Sequence, residues 1–131
     1  MSWRGAICAR KSPHAPKRTR FVLSDRARLA AGDIIAHCEH AQAFLREARG
    51  DLAADLRSYY AIIHCLEVIP EASRRLPEEL KARHPEKPWR AVAAAGNIYR
   101  HGYDVVDAQM IIATVEDELP RLAAALRSAS N

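Results

Sequence analysis

The sequence predicts an all-α protein: an antiparallel bundle of four main helices that follows a basic, flexible N-terminal arm. Ala and Leu are abundant and only five Gly are present, a composition that favours helices. Apolar residues recur at spacings of three and four, and no segment alternates as a strand would. The 131 residues fit one domain, and an apolar content of 49% is enough for a core.

The N-terminal arm comprises residues 1–20, and the helical domain is expected to occupy residues 21–131. The arm holds six of the 20 Lys and Arg residues and no acid, which leaves 14 bases against 16 acids in the domain. The overall net charge of +4 therefore comes from the arm. Such an arm is either a solvated appendage or a segment that binds nucleic acid through phosphates without reading sequence.

The first two helices are expected in the N-terminal half of the domain. Ser24 can cap the first helix, Gly50 can end it, and Asp51 can cap the second. Pro70 should either kink the second helix or stop it. The predicted apolar face of the first helix comprises Leu29, Ile34, Ile35, Cys38, Ala41, Leu45 and Ala48. That of the second comprises Leu52, Leu56, Tyr59, Ile63 and Leu66.

The last two helices follow a polar connection at residues 77–88, which contains three prolines. Trp89 opens a short third helix, and Gly102 is well placed to end it. Asp107 can cap the fourth helix, and Pro120 can bend it. The predicted apolar face of the fourth helix comprises Ala108, Ile111, Ile112, Val115, Leu119, Leu122 and Leu126.

Composition and spacing argue against several classes of protein. No apolar run approaches the ~20 residues needed to span a bilayer, and the N-terminus lacks the apolar core of a secretory signal. The three Cys form no C-x-x-C pair, which indicates free thiols in a reducing cytoplasm. The six His match no zinc-site spacing, and His37 and His40 are expected on a polar helix face. We therefore expect a cytoplasmic protein with no membrane segment, metal site or cofactor.

The segment from Trp89 to Asp107 carries the best candidates for chemistry. Asn97 and His101 are four residues apart and would share one face of a helix, and Tyr103 follows just after a glycine. A single histidine near a helix C-terminus also has an ordinary explanation, because it interacts favourably with the last carbonyls and the helix dipole. The local pattern leaves the functional and the structural interpretation open.

The same segment resembles the signature of the HepT-like proteins, a branch of the HEPN superfamily. That family typically shows a tryptophan and a basic residue, then R-N-x-x-x-H-x-Y, then a turn that contains an aspartate. The similarity extends to LEVIPEASRRLPEEL at residues 66–80, to SDRARL and to ELPRL, and so covers about residues 24–126. The residues in register with the signature are Trp89, Arg90, Asn97, His101, Tyr103 and Asp107.

The resemblance implies a toxin of a type VII-like toxin–antitoxin system: a metal-independent endoribonuclease that acts on RNA as a homodimer. Two copies of the motif would face a cleft between the subunits. His101 would be the base that takes the proton of the 2′-hydroxyl, and Asn97 would orient the phosphate or the histidine. A minimal, MntA-type nucleotidyltransferase would neutralise the toxin by transferring AMP to the motif tyrosine, here Tyr103.

This chain departs from the family at the arginine of the motif, whose position is occupied by Gly96. Loss of one preorganised charge-stabilising group costs on the order of 10²–10³ in rate. Arg100, one turn later on nearly the same face, is the candidate substitute. Two functions therefore stay open. Either Arg100 compensates for Gly96 in an active toxin, or the chain is a weakened or inactive helical dimer that binds a nucleotidyltransferase or RNA without cleaving it.

Overall fold

The computed structural model of the chain describes residues 22–49, 51–101 and 107–130, with the backbone alone at 100, 101 and 130. The described residues contain no strand, which confirms the all-α prediction. The arm predicted at residues 1–20 lies outside the described residues. The helical elements are α1 (Asp25–Glu47), α2 (Leu56–Ser73), α3 (Glu78–Arg83), α4 (Trp89–His101), α5 (Ala108–Ala113), a π-helical turn (Thr114–Glu118) and α6 (Leu119–Ser130).

Four long segments build the bundle: α1, α2, α4 and the continuous segment formed by α5, the π turn and α6. Helix α1 packs between α2 and α6, and α2 packs between α1 and α4. Helices α1 and α6 run antiparallel, because Glu39 pairs with Arg127 whereas Leu45 lies beside Val115. A side-chain hydrogen bond between Tyr99 on α4 and Thr114 joins α4 to the π turn.

The start of α1 agrees with the sequence prediction, because the Ser24 hydroxyl oxygen accepts the N–H of Ala27 at 3.1 Å. The helix ends at Glu47, and residue 50 lies outside the described residues. Leu29 was wrongly placed on the apolar face, since it is 70% exposed. The buried stripe instead begins with small side chains that let α1 approach its neighbours: Ala27, Ala30, Ala31, Ile34, Cys38, Ala41 and Leu45.

The start of α2 differs from the prediction. Asp55, and not Asp51, caps this helix: its carboxylate accepts the N–H of Ser58 at 3.1 Å and the Ser58 hydroxyl at 2.7 Å. These hydrogen bonds lower the pKa of the Asp55 carboxyl. Asp51 instead accepts the N–H of Ala54 at 3.2 Å within the turn before the helix. The predicted cap was therefore wrong by one helical turn.

The predicted apolar face of α2 was correct at Leu66, which is buried, and out of register at the other positions within the helix. Leu56 is 60% exposed, and Tyr59 and Ile63 are only half-buried. Leu52 is buried, although it lies in the turn before the helix. The helix continues through Pro70 to Ser73, so the proline does not stop it. Its buried residues are Ser58, Ile62, Cys65, Leu66, Ile69, Pro70, Ala72 and Ser73.

The connection predicted at residues 77–88 contains the short helix α3, which the sequence pattern did not predict. Acidic residues in its first turn and Lys81 and Arg83 in its last turn complement the helix dipole. The indole N–H of Trp89 donates to the carbonyl oxygens of Lys81 at 3.1 Å and His84 at 3.0 Å. These bonds fix the end of α3 against the start of α4.

The last segment has the predicted cap and the predicted core face. The Asp107 carboxylate accepts the N–H of Met110 at 2.9 Å. The expected irregularity at Pro120 takes the form of the π turn, in which the N–H of Leu119 donates to the carbonyl of Thr114, five residues earlier. Proline lacks an N–H and its ring collides with the carbonyl four residues before it, so a wider turn relieves the conflict. The fully buried residues of this face are Ile111, Val115, Leu119, Leu122 and Leu126.

Two of the three cysteines lie in the core as free thiols. Cys38 on α1 and Cys65 on α2 are both buried. Burial raises the pKa of Cys38 to about 12 and that of Cys65 to about 11. Cys8 lies outside the described residues. In the part of the chain that the structure describes, no helix is both long and apolar enough to cross a membrane.

Candidate active site

Helix α4 carries the described part of the motif, and its two faces have opposite environments. Val92, Ala95, Gly96 and Tyr99 are buried against the bundle. The opposite face is exposed at Arg90, Ala94 and Asn97. Positions 90, 94, 97 and 101 follow one another at spacings of four, three and four residues. By helical periodicity, position 101 therefore lies on the same side of α4 as the three exposed residues. The backbone stays helical to that position, which confirms that Asn97 and His101 belong to one helix.

The structure therefore locates only some of the predicted site residues. Asn97 is an exposed side chain in the second half of α4. Arg100 and His101 occupy the last two positions of the helix, and only their backbone is described. Tyr103 lies outside the described residues. Asp107, the final residue of the motif, caps α5 with its carboxylate, which assigns it a structural task.

Gly96, at the position of the family arginine, lies on the buried face of α4. It belongs to the stripe that includes Val92 and Tyr99, and α4 packs against α2. The exposed face begins one residue later, at Asn97. This position therefore contributes packing to the bundle and no charge to the exposed face.

Three interactions hold α4 in place beneath its exposed face. The Trp89 indole fixes its first turn, as described above. Nη2 of Arg74, just after α2, donates to the carbonyl of Ala93 at 3.2 Å. Near the other end, Tyr99 reaches Thr114. A site on this helix is therefore carried by an element that is anchored along its length.

Tyr99 is the tyrosine of the motif helix that the structure describes, and it is not accessible. Its side chain is only 7% exposed. Burial is the main cause that raises its pKa to about 12; the Glu118 carboxylate also raises it, and the Thr114 hydrogen bond acts in the opposite direction. A neutral phenol in the core is a poor nucleophile and a poor target for modification.

Three histidines cluster on the surface formed by α1 and α2. The ring centroids of His37 and His40 are 5.7 Å apart, and those of His37 and His64 are 6.3 Å apart. Nδ1 of His37 lies 2.7 Å from the carbonyl oxygen of Asp33, where it can donate a hydrogen bond. Within the described ranges, no group of three or more His, Cys, Asp or Glu side chains is arranged to hold a metal ion.

The structure also contains a cleft that the sequence did not predict. It has a volume of about 310 Å³ and lies between the end of α1 and the π turn. Arg46 and Arg49 line one side and Glu116 lines the other. These residues are about 70 positions apart in sequence, and no local motif joins them, so the spacing of residues gives no signal for this cleft.

A model of the HepT-like family, described as "Ribonuclease HepT-like", matches residues 34–129 of the chain. The "Probable ribonuclease HepT" of Thermococcus cleftensis is 36% identical over 91 residues, which cover 69% of this chain and 83% of that protein. Two proteins of Methanocaldococcus jannaschii that carry RNase in their names are 32% and 33% identical over 63 residues. Those matches cover 48% of this chain and 58% and 54% of the two relatives. No solved structure matches the chain.

Proposed function

The chain belongs to the HepT-like ribonuclease family, and we propose that it is a metal-independent endoribonuclease, the toxin of a type VII-like toxin–antitoxin pair. One observation carries the proposal most directly. Helix α4 continues to His101, and the face that leads to this position is exposed at Asn97. A strand of RNA can therefore approach this face of the motif helix.

The proposed reaction is cleavage by the neighbouring 2′-hydroxyl of the RNA. His101 takes the proton of that hydroxyl, the oxygen forms a bond to phosphorus, and the bond to the 5′-oxygen breaks. The departing oxygen takes a proton from solvent, and the other product carries a 2′,3′-cyclic phosphate. Asn97 orients the phosphate or the histidine. No metal ion takes part.

Charge that develops on the phosphorane needs a cation, and Arg100 is our candidate for it. Because Gly96 lies on the buried face of α4, the position of the family arginine offers no side chain to the exposed face. Arg100 follows one turn later, at the end of the helix, and by helical spacing its position falls between that of Gly96 on the buried face and that of Asn97 on the exposed face. Arg100→Ala should lower cleavage on the order of 10²–10³-fold.

Regulation in this proposal acts on Tyr103. Two copies of the chain form a homodimer in which the motifs face each other across the subunit interface. An MntA-type nucleotidyltransferase transfers AMP to Tyr103. The added phosphate brings negative charge within two residues of His101 and repels RNA. The burial of Tyr99 supports this choice of tyrosine, because Tyr99 is withdrawn from solvent. The pair would act in the cytoplasm.

A cleavage assay on purified protein that carries no partner and no AMP tests the enzymatic proposal. Single-stranded RNA labelled at its 5′ end is incubated in excess EDTA, and products with a cyclic phosphate terminus are expected. His101→Ala and Arg100→Ala should lose cleavage, whereas Arg28→Ala, an exposed arginine at the far end of α1, should keep it. Absence of cleavage by the unmodified wild type, or equal cleavage by His101→Ala, would refute the assignment.

Mass spectrometry tests the regulatory proposal separately. Co-expression with a nucleotidyltransferase of the partner class should add the mass of one or more AMP groups, and peptide mapping should place them on Tyr103. Tyr103→Phe should stay unmodified and keep its cleavage activity in the presence of the partner. Modification mapped to Tyr60, which is 62% exposed on α2, would contradict the assignment.

The burial of Gly96 favours one alternative, a helical dimer that binds a nucleotidyltransferase or RNA without cutting it. This alternative predicts that wild type and His101→Ala bind RNA equally well and that neither cleaves it. Loss of toxicity in a folded His101→Ala variant would decide for catalysis.

A further inference from the structure

The cleft between α1 and the π turn contains two arginines without an ion-pair partner in the described part of the chain. Arg46 lies in the last turn of α1 and Arg49 lies just after it. Both residues are exposed, and no carboxylate of the described residues pairs with either guanidinium. Each arginine presents a planar set of N–H donors that matches the oxygens of a phosphate.

The backbone at Arg49 is held in a conformation that side chains rarely adopt, with φ at 51°. Glycine takes this left-handed region without cost, whereas an arginine there is disfavoured. The glycine of the sequence, Gly50, is at the next position, and the disfavoured conformation is adopted by the charged residue Arg49. The strained arginine lines the cleft.

The other wall of the cleft supplies groups of different chemistry. Glu116 is exposed in the π turn and offers carboxylate oxygens that accept hydrogen bonds. Among the apolar lining residues, Pro120 is partly exposed, whereas Leu45 and Val115 form the buried floor. A volume of about 310 Å³ lies at the lower end of the range for small-molecule sites. The cleft thus combines cationic donors, an anionic acceptor and an apolar wall.

We propose that this cleft binds one nucleotide unit of single-stranded RNA, with Arg46 and Arg49 on a phosphate and Glu116 on a 2′-hydroxyl. Phosphate oxygens only accept hydrogen bonds and need the arginines as donors. The 2′-hydroxyl donates to the carboxylate, and it is the group that distinguishes RNA from DNA. Contact with a sugar or base occupies the apolar wall.

The cleft and the motif helix share the π turn. Thr114 in that turn holds Tyr99 of α4, and the next two residues, Val115 and Glu116, line the cleft. Tyr99 lies two residues before His101 in the sequence. The cleft is therefore linked to the last turn of α4 through the π turn and Tyr99. This inference rests on the proposed function, because RNA is the ligand in both.

Fluorescence anisotropy with a labelled RNA single strand of about 12 nucleotides tests the phosphate contacts. The full chain is used, and Arg46→Gln and Arg49→Gln are compared with Arg28→Gln. Each cleft variant should bind RNA about tenfold more weakly, as expected for loss of one charge-assisted hydrogen bond. The slope of log affinity against log salt should fall by about 0.7 for each lost phosphate contact. Arg28→Gln should match wild type.

The same assay with DNA of equal sequence tests the 2′-hydroxyl contact. Glu116→Ala should lower the ratio of RNA affinity to DNA affinity, because the acceptor for the hydroxyl is lost. Asp117→Ala is the matched control: it removes the same charge from the neighbouring exposed residue, which does not line the cleft. An unchanged ratio in Glu116→Ala, or equal changes in the two variants, would overturn the assignment of Glu116.

The outcomes separate this inference from the proposed function. Affinities of Arg46→Gln and Arg49→Gln equal to that of Arg28→Gln would overturn the cleft as an RNA site, even if wild type cleaves RNA through His101. Conversely, arginine-dependent binding in a protein that cuts no RNA would support the cleft and refute the catalytic proposal. Circular dichroism spectra that match wild type show that each exposed substitution leaves the fold intact.

Discussion

Tyr99 joins the motif helix to the π turn, and its replacement by Phe should change how the stability of the protein depends on pH. At pH 8 the phenol is neutral in both the folded and the unfolded state. Tyr99→Phe there loses the hydrogen bond with Thr114, which is worth about 1 kcal/mol of unfolding free energy. The Thr114 hydroxyl keeps a partner in the variant, because it donates to the carbonyl of Met110 at 2.9 Å. The loss should therefore stay moderate.

At higher pH the wild type should lose this advantage. The pKa of Tyr99 is raised from 10.0 to about 12 in the folded protein, so its contribution to stability is complete below pH 10 and falls as pH rises through 12. Between pH 10 and pH 12, each pH unit lowers the unfolding free energy of the wild type by about 1.4 kcal/mol, because Tyr99 loses its proton in the unfolded chain at lower pH than in the folded protein. At pH 11 the wild type and Tyr99→Phe should be about equally stable. The buried thiols titrate in both proteins and cancel in the comparison.

Urea unfolding of both proteins at pH 8 and pH 11, followed by circular dichroism, measures the two differences. Thr114→Val is the matched control, because it removes the hydrogen-bonding hydroxyl and leaves the buried phenol to titrate. Its stability should keep the steep dependence on pH. A difference between wild type and Tyr99→Phe that is the same at both pH values would refute the reasoning that burial raises this pKa.

Three further predictions concern the elements around the site. Trp89→Phe should lower the unfolding free energy in urea by about 1–3 kcal/mol, because the carbonyls of Lys81 and His84 lose the indole donor. Asp107→Ala should cost about 0.5–2 kcal/mol in the same measurement, and Asp107→Asn should cost less because it keeps a cap acceptor. Iodoacetamide at pH 8 should leave Cys38 and Cys65 unmodified in native protein and alkylate both in urea, as read by peptide mass spectrometry.

The sequence predicted best those features that depend on a few adjacent residues. Ser24 and Asp107 were expected to cap helices, and both accept the N–H three residues later. The apolar face of the last segment was also predicted well, because its buried residues follow the helical spacing even across the π turn. Trp89 opens α4 as expected. Each of these features depends on interactions within about one or two turns.

Features that depend on contacts between helices were predicted less well. Leu29 and Leu56 fit a helical spacing, but both face solvent because their neighbours pack on an adjacent stripe. Two aspartates, Asp51 and Asp55, each accept the N–H three residues later, but the residues after Asp51 form a turn with Leu52 buried, and only Asp55 is followed by the helix. The cleft could not be predicted, since antiparallel packing of α1 and α6 brings its two sides together.

The division of α4 into a buried and an exposed face limits where a cation for catalysis can come from. Position 96 lies on the buried face, and the neighbours that are buried with it, Val92 and Tyr99, are apolar or neutral. Arg100 is the remaining cation of the motif near His101. In the proposed complex with RNA, the cleft arginines bind a phosphate of the strand other than the reacting one. Loss of Arg100 should therefore lower the cleavage rate with little change in RNA affinity, and loss of Arg46 should lower affinity with little change in the rate at saturating RNA. A single-turnover comparison of the two variants separates these roles, and a decrease of the rate alone in both variants would contradict the separate roles of Arg100 and Arg46.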